Sequence, residues 1–280
     1  MSVSWLFSFG KPGRQRGNFL GPFGIFWHEK ILYVVDDLGH RISLFDEKGN
    51  FLKEIGSYGR KPGQFSYPDS LTIKDGYLYV ADTGNNRIQV LDHHGRCYKI
   101  IFRWGWWGRF KNPRDVAFDA LERLWIVDWG HHCLRVFSGD GRHLFDVGKK
   151  GRRKGQFLNP IALTIGPERV YVSDFKNHRI QVFDLAGNFI YHFGTEGEDL
   201  GEVRYPSGLA IFRDHLWVAE WGNHRVQVFS LEGVPVFFFG VRGKAEGQFL
   251  KPTDLVITPE NRIYVVDSGN HRVQVFQWII

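Results

Sequence analysis

Six times along the chain an acidic residue closes an apolar run and is followed by a short polar turn. The turns are DDLGHR from Asp36, DTGNNR from Asp82, DWGHHC from Asp128, DFKNHR from Asp174, EWGNHR from Glu220 and DSGNHR from Asp267. Carboxylate, imidazole and guanidinium in such proximity are the ingredients of a metal centre or of acid-base chemistry. His40, His132, His178, His224 and His271 recur at one position, with Asn86 in the remaining turn. A metal would need ligands within about 2.0–2.2 Å of one point, which single side chains from separate repeats do not supply. The turns are therefore expected to be structural: the acid accepts from backbone amides, Gly84, Gly130, Gly222 and Gly269 supply a permissive conformation, and His and Arg tie one repeat to the next. Asp115 and Asp254, each two residues after a proline, are the other carboxylates placed where chemistry could occur. The four equivalent positions hold Gly24, Ser70, Ala162 and Gly208, with no imidazole among them. The glycine-rich GKPGRQRGNF from Gly10 lacks the Lys-Ser/Thr ending and following helix of a phosphate loop. No catalytic residue, metal ligand or cofactor site is predicted.

The elements that position these residues follow from an internal repeat. The acids are spaced by 46, 46, 46, 46 and 47 residues; Pro22, Pro68, Pro113, Pro160, Pro206 and Pro252 run in step, and a residue-glycine pair such as Val147-Gly148 or Phe239-Gly240 ends each unit. Within a unit, four short runs such as GLAIF, HLWVAE, RVQVF and VFFF read as strands separated by turn signals. They are apolar on both faces, as sheets sandwiched between neighbours require. Six four-stranded sheets arranged radially make an all-β, six-bladed propeller. Because the last unit has three strands, Ser4 to Phe9 is expected to supply the fourth, closing the ring by pairing its two ends. In such a ring Asp115 and Asp254 start innermost strands half a turn apart.

Segments such as YVSDFKNHRIQVFDLAGNFIYHFG (Tyr171 to Gly194) and the GQF-x-x-P run at Gly155 to Pro160 resemble the NHL repeat, and the resemblance extends over all 280 residues. It implies one NHL propeller domain, residues 1–280, similar to those of tripartite-motif and Brat proteins, which hold RNA or protein partners on one face, and of bacterial NHL proteins. Two departures from the pattern, Cys133 in place of Arg and Glu220 in place of Asp, imply that the third and fifth blades are pinned less firmly.

Composition bounds the rest. The chain has 43% apolar and 24% charged residues, ample for a large core. Only two cysteines occur, Cys97 and Cys133, which the repeat puts at opposite ends of neighbouring blades, so no disulfide is expected. With no stretch long enough to span a bilayer and no secretory signal pattern, a soluble, cytoplasmic and monomeric domain is expected.

The modest net charge of +6 is unevenly placed. Loops between blades share a face, here the top, with the acidic turns. Four consecutive loops carry Lys11, Arg14, Arg16; Arg60, Lys61; Arg103, Arg109, Lys111; and Lys149, Lys150, Arg152, Arg153, Lys154, whereas the fifth carries Glu196, Glu198, Asp199 and Glu202. Trp129, Phe175 and Trp221 follow the acid at three turn tips, and Trp106 and Trp107 lie in the loop before the third blade. Rings beside cations suit unpaired bases and their phosphates, and equally a protein hot spot. The expectation is a non-enzymatic binding or scaffold module that takes single-stranded RNA on the top face, the alternative being an acidic protein surface or a place in a larger assembly. A lyase or hydrolase with a channel metal, as in the propeller lyases of peptide amidation, is the remaining reading.

Overall fold

The computed structural model describes residues 2–101 and 109–279. Six four-stranded antiparallel sheets follow one another. Blade one is β2 to β5 (Pro22–His28, Ile31–Asp36, Arg41–Asp46, Phe51–Ile55), and blade two is β6 to β9 (Pro68–Lys74, Tyr77–Asp82, Arg87–Leu91, Cys97–Ile101). Blade three is β10 to β13 (Pro113–Phe118, Leu124–Asp128, Cys133–Phe137, His143–Val147), and blade four is β14 to β17 (Pro160–Ile165, Arg169–Asp174, Arg179–Asp184, Phe189–Phe193). Blade five is β18 to β21 (Pro206–Phe212, His215–Glu220, Arg225–Ser230, Pro235–Phe239). Blade six combines β22 to β24 (Pro252–Ile257, Arg262–Asp267, Arg272–Ile279) with β1 (Ser2–Phe9).

The ring closes as the strand count requires. β1 pairs antiparallel with β24 from Ser2 opposite Ile279 to Phe9 opposite Val273, with a bulge between Trp5 and Phe7. Pairing removes two open edges and sets Phe9 against Phe45 of blade one, ring centroids 4.7 Å apart. Between blades the two inner faces interdigitate, with Trp125, Trp217, Tyr33, Tyr171 and Tyr264 fully buried. The two middle strands of each blade are buried on both faces for this reason. The outer strands differ from the sequence expectation: in β5 the side chains of Leu52, Lys53 and Glu54 are exposed, because the fourth strand lies on the rim and meets water.

The residue-glycine pair has a mechanical explanation. At Gly148 the chain turns from the outer strand onto the top face with φ +80, and a Cβ there would stand 2.4 Å from the Phe157 ring, which is itself wholly buried. Among the described residues no helix is long and apolar enough to cross a membrane, and Cys97 is a free thiol.

Candidate functional site on the top face

The top face is built on a lock repeated from blade to blade, seen clearly in blade four. Asp174, buried at the end of β15, accepts the Leu158 amide at 2.7 Å, the Asn177 side-chain amide at 2.8 Å and the Arg179 guanidinium at 2.8 Å. Arg179 donates onward to the carbonyls of Arg153 and Gln156, while Gln181 donates to the Gln156 carbonyl and accepts from the Gly155 amide. Asn177 also donates to the Gly151 carbonyl. The loop's backbone polar groups are thus held from below, as buried polar groups must be. Its side chains are left facing outward.

Three expectations about this lock are corrected. In blade three the cation lost at Cys133 is replaced at the carboxylate by Arg135, one pleat further along the same face, which donates to Asp128 where the other blades place a glutamine or serine. His131 occupies the asparagine position and bonds the same carboxylate. In blade five the extra methylene of Glu220 is absorbed: its carboxylate binds Arg225 at 3.0 Å, Gln227 at 2.6 Å and Asn223, and only the Arg204 amide is held at a longer 3.3 Å. The turn glycines do not supply the left-handed residue. That residue is the histidine or asparagine itself, with φ from 53 to 56 in all six turns, while glycine is needed for close approach. A Cβ on Gly130, for example, would lie 2.6 Å from the Lys111 carbonyl.

The histidines link blades, as expected. Nδ1 of His40, His132, His178 and His224 accepts the amide that precedes the next blade, from Tyr67, Asn159, Tyr205 and Lys251, and Asn86 does the same for Asn112. Burial lowers the pKa of all four histidines, which keeps Nδ1 free to accept. His271 differs: its buried Nδ1 has no partner, because Gly21 at the seam gives its amide to Asp36 instead.

Of the residues singled out in the sequence, Arg109, Lys111, Lys149, Lys150, Arg152, Arg153 and Lys154 are exposed, and Trp129, Phe175 and Trp221 are half-buried. Arg103, Trp106 and Trp107 lie outside the described residues. Burial lowers the pKa of His132 first, and the charges of Lys150, Lys111 and Lys176 lower it further. The rings are shared between two places. Trp129 lies under Arg114, 5.2 Å from the guanidinium, which also approaches Phe23 and pairs with Asp69 at 3.0 Å. Phe175 packs with Tyr205 at 4.9 Å and Trp221 at 6.1 Å, and Lys251 sits 4.5 Å above Trp221. Sequence reasoning missed Arg114, Lys176, Tyr205 and Lys251. The available signal was position, since Tyr205 and Lys251 directly precede the proline that opens a blade.

At the axis, Gly24, Ser70, Asp115, Ala162, Gly208 and Asp254 line one cavity of about 20 Å³. Asp115 and Asp254 belong to blades half a ring apart, yet they share this space because Gly24 and Gly208 let the inner strands close in. A Cβ on Gly24 would stand 2.3 Å from the Asp69 carbonyl. Asp115 accepts from Ser70 and the Leu163 amide, and Asp254 from the Ile25 amide, so the two carboxylates staple blades two to four and six to one. Burial, and then the charge of Asp115, pushes Asp254 well above the usual carboxylate range. Nearer the surface, burial and the neighbouring Asp69 push Asp37 up to about 7, and burial pushes Asp69 up to about 6 against the opposing pull of Arg114.

Comparison with known proteins agrees with this architecture. The NHL repeat family matches residues 110–137, 203–229 and 249–276, and a 6-bladed beta-propeller family matches residues 20–100. The chain is a six-bladed propeller that carries NHL repeats. This NHL propeller is 31% identical over 58 residues to the protein brain tumor of Drosophila melanogaster, a match covering 21% of the chain and only 6% of that much longer relative. Among solved structures, a Bacteroides thetaiotaomicron protein of unknown function is 15% identical with TM-score 0.75, the alignment covering 99% of this chain and 76% of that one. Virginiamycin B lyase of Staphylococcus aureus is 13% identical with TM-score 0.65 over 99% of both chains. At these identities the likeness is one of fold.

Proposed function

We propose that this NHL propeller is a non-enzymatic binding module whose top face holds single-stranded RNA across the loops before blades three and four. The observation that carries the reading is that Lys111, Lys150 and Lys176 are all exposed on this face and all add positive charge at His132. Beside them Lys149, Arg152, Arg153 and Lys154 are exposed and form no ion pair within the described residues. An array of unneutralised cations held by a rigid backbone suits a polyanion, and Trp129 and Phe175 at the inner edge offer partly open ring surface for unpaired bases. A duplex would present its bases less readily to such rings.

The test is fluorescence anisotropy with a varied pool of short unstructured RNAs at low salt, alongside pull-down from lysate with and without ribonuclease. Binding of the RNA pool, and ribonuclease-sensitive capture, are expected. Absence of RNA binding together with ribonuclease-resistant capture would favour an acidic protein partner on the same cations.

A further inference from the structure

We infer that the notch between blades one and two is a nucleotide pocket, taking one base against the exposed tyrosine rings beside His40 and its phosphate on the neighbouring arginines. The notch has a volume of about 460 Å³ and is lined by Arg14, Leu38, His40, Tyr58 and Tyr67, with Arg41 at its floor, within the usual size of small-molecule sites. Three large apolar side chains that a fold would ordinarily bury point to it: Tyr58 is 69% exposed, Leu38 51% and Tyr67 48%. His40 sits between the tyrosines, 4.7 Å from each ring centroid.

The fold does not require this lining. Blade five has the same notch, about 400 Å³, yet Gly222 stands where Leu38 does, Arg242 replaces Tyr58 and Lys251 replaces Tyr67. In the turn of blade one, moreover, Gly39 takes the place of the lock asparagine, leaving no side chain there, and a leucine takes the position held by glycine in four other blades.

Chemistry selects the ligand. The Tyr67 amide donates to Nδ1 of His40 at 3.1 Å, which leaves Nε2–H as the ring's donor for an acceptor on a base edge. Arg41 is committed to Asp36 and Glu54, whereas the exposed Lys11, Arg14, Arg16, Arg60 and Lys61 of the flanking loops form no ion pair within the described residues. Flat apolar walls, one donor and surplus cations fit a planar base carrying a phosphate better than an uncharged or acidic-aliphatic group. The inference rests on the RNA reading only for which molecule supplies the nucleotide.

Two arms separate the sources: saturation-transfer NMR with uridine 5′-monophosphate, and photocrosslinking plus anisotropy with an oligouridylate bearing 5-iodouridine. Three variants are compared: Tyr58→Ala, Leu38→Gly, which installs the residue of four sister turns, and His40→Asn, which copies Asn86 and keeps the inter-blade hydrogen bond. Crosslinks at Tyr58 or Tyr67 are expected, with about 10-fold weaker binding in Tyr58→Ala, the scale of one lost stack, and smaller losses in the other two. If the oligouridylate binds but crosslinks elsewhere and Tyr58→Ala changes its affinity less than twofold, the pocket is refuted while the RNA reading stands. If the oligouridylate fails to bind but the mononucleotide does, in a manner lost in Tyr58→Ala, the RNA reading falls and the pocket holds for a free nucleotide. If neither binds, the pocket is refuted.

Discussion

His132 and His178 occupy the same turn position one blade apart, share the left-handed backbone and make the same hydrogen bond to the next blade. The charges acting on them differ. His132 faces Lys150, Lys111 and Lys176, while His178 faces Glu196 and Arg204, with Glu196 standing one repeat after Lys150. The loops above them, 149–157 and 195–203, are gripped by equivalent contacts, from Arg179 in one case and Arg225 in the other. Backbone carbonyls and amides carry the fold, and outward side chains carry the charge. The sign of the top face can therefore vary from blade to blade at little cost to the lock.

Breaking the lock should erase that distinction and give the largest effects. Arg179→Ala and Arg225→Ala each leave a buried carboxylate without its cation, and each is expected to lower unfolding free energy in urea by about 3–5 kcal/mol, alike for the basic and acidic loops. A loss confined to one of the two would contradict a common lock. Next in size is the ring contribution. Trp129→Ala should weaken RNA binding by about 5- to 150-fold while Trp221→Ala, in the cluster beside the acidic loop, should matter less, as read by anisotropy. Equal losses would remove the distinction between the two regions.

The channel mouth sharpens the comparison in another way, since its acids are shielded and the loop acids are not. With Asp37 held near 7 against an ordinary 3.8, the folded state retains a proton that the unfolded chain releases. Its stabilising contribution is full below about pH 4 and is lost as pH rises through 7. Asp37→Asn should accordingly be more stable than the parent at pH 8, on the order of 1–2 kcal/mol, and show no gain at pH 4. The smallest effect belongs to the acidic loop: Glu196→Gln with Glu198→Gln should tighten RNA binding by a few-fold and leave the melting temperature nearly unchanged.

The ring, its closure by β1 and the basic and acidic loops were all legible in the sequence, because each follows from strict spacing: a repeated proline, a repeated acid and a missing fourth strand. What was not legible depends on contacts between residues distant along the chain or shifted by one pleat. Arg135 substitutes for the cation lost at Cys133 only because residues two apart on a strand share a face. Arg114 over Trp129, and Tyr205 between Phe175 and Trp221, join separate blades. Glycine in the turns was expected to supply the permissive conformation on residue type, whereas the histidine or asparagine adopts the left-handed backbone and the glycine avoids a neighbouring carbonyl.

Contact between loop 149–154 and phosphates is measured by the salt dependence of RNA affinity in the parent and in the variant carrying Glu at residues 152, 153 and 154. Each phosphate contact of a single strand contributes about 0.7 to the slope of log affinity against log salt. Loss of three contacts should reduce the slope by about 2 and weaken binding at low salt. An unchanged slope and affinity in the charge-reversed protein would contradict the account.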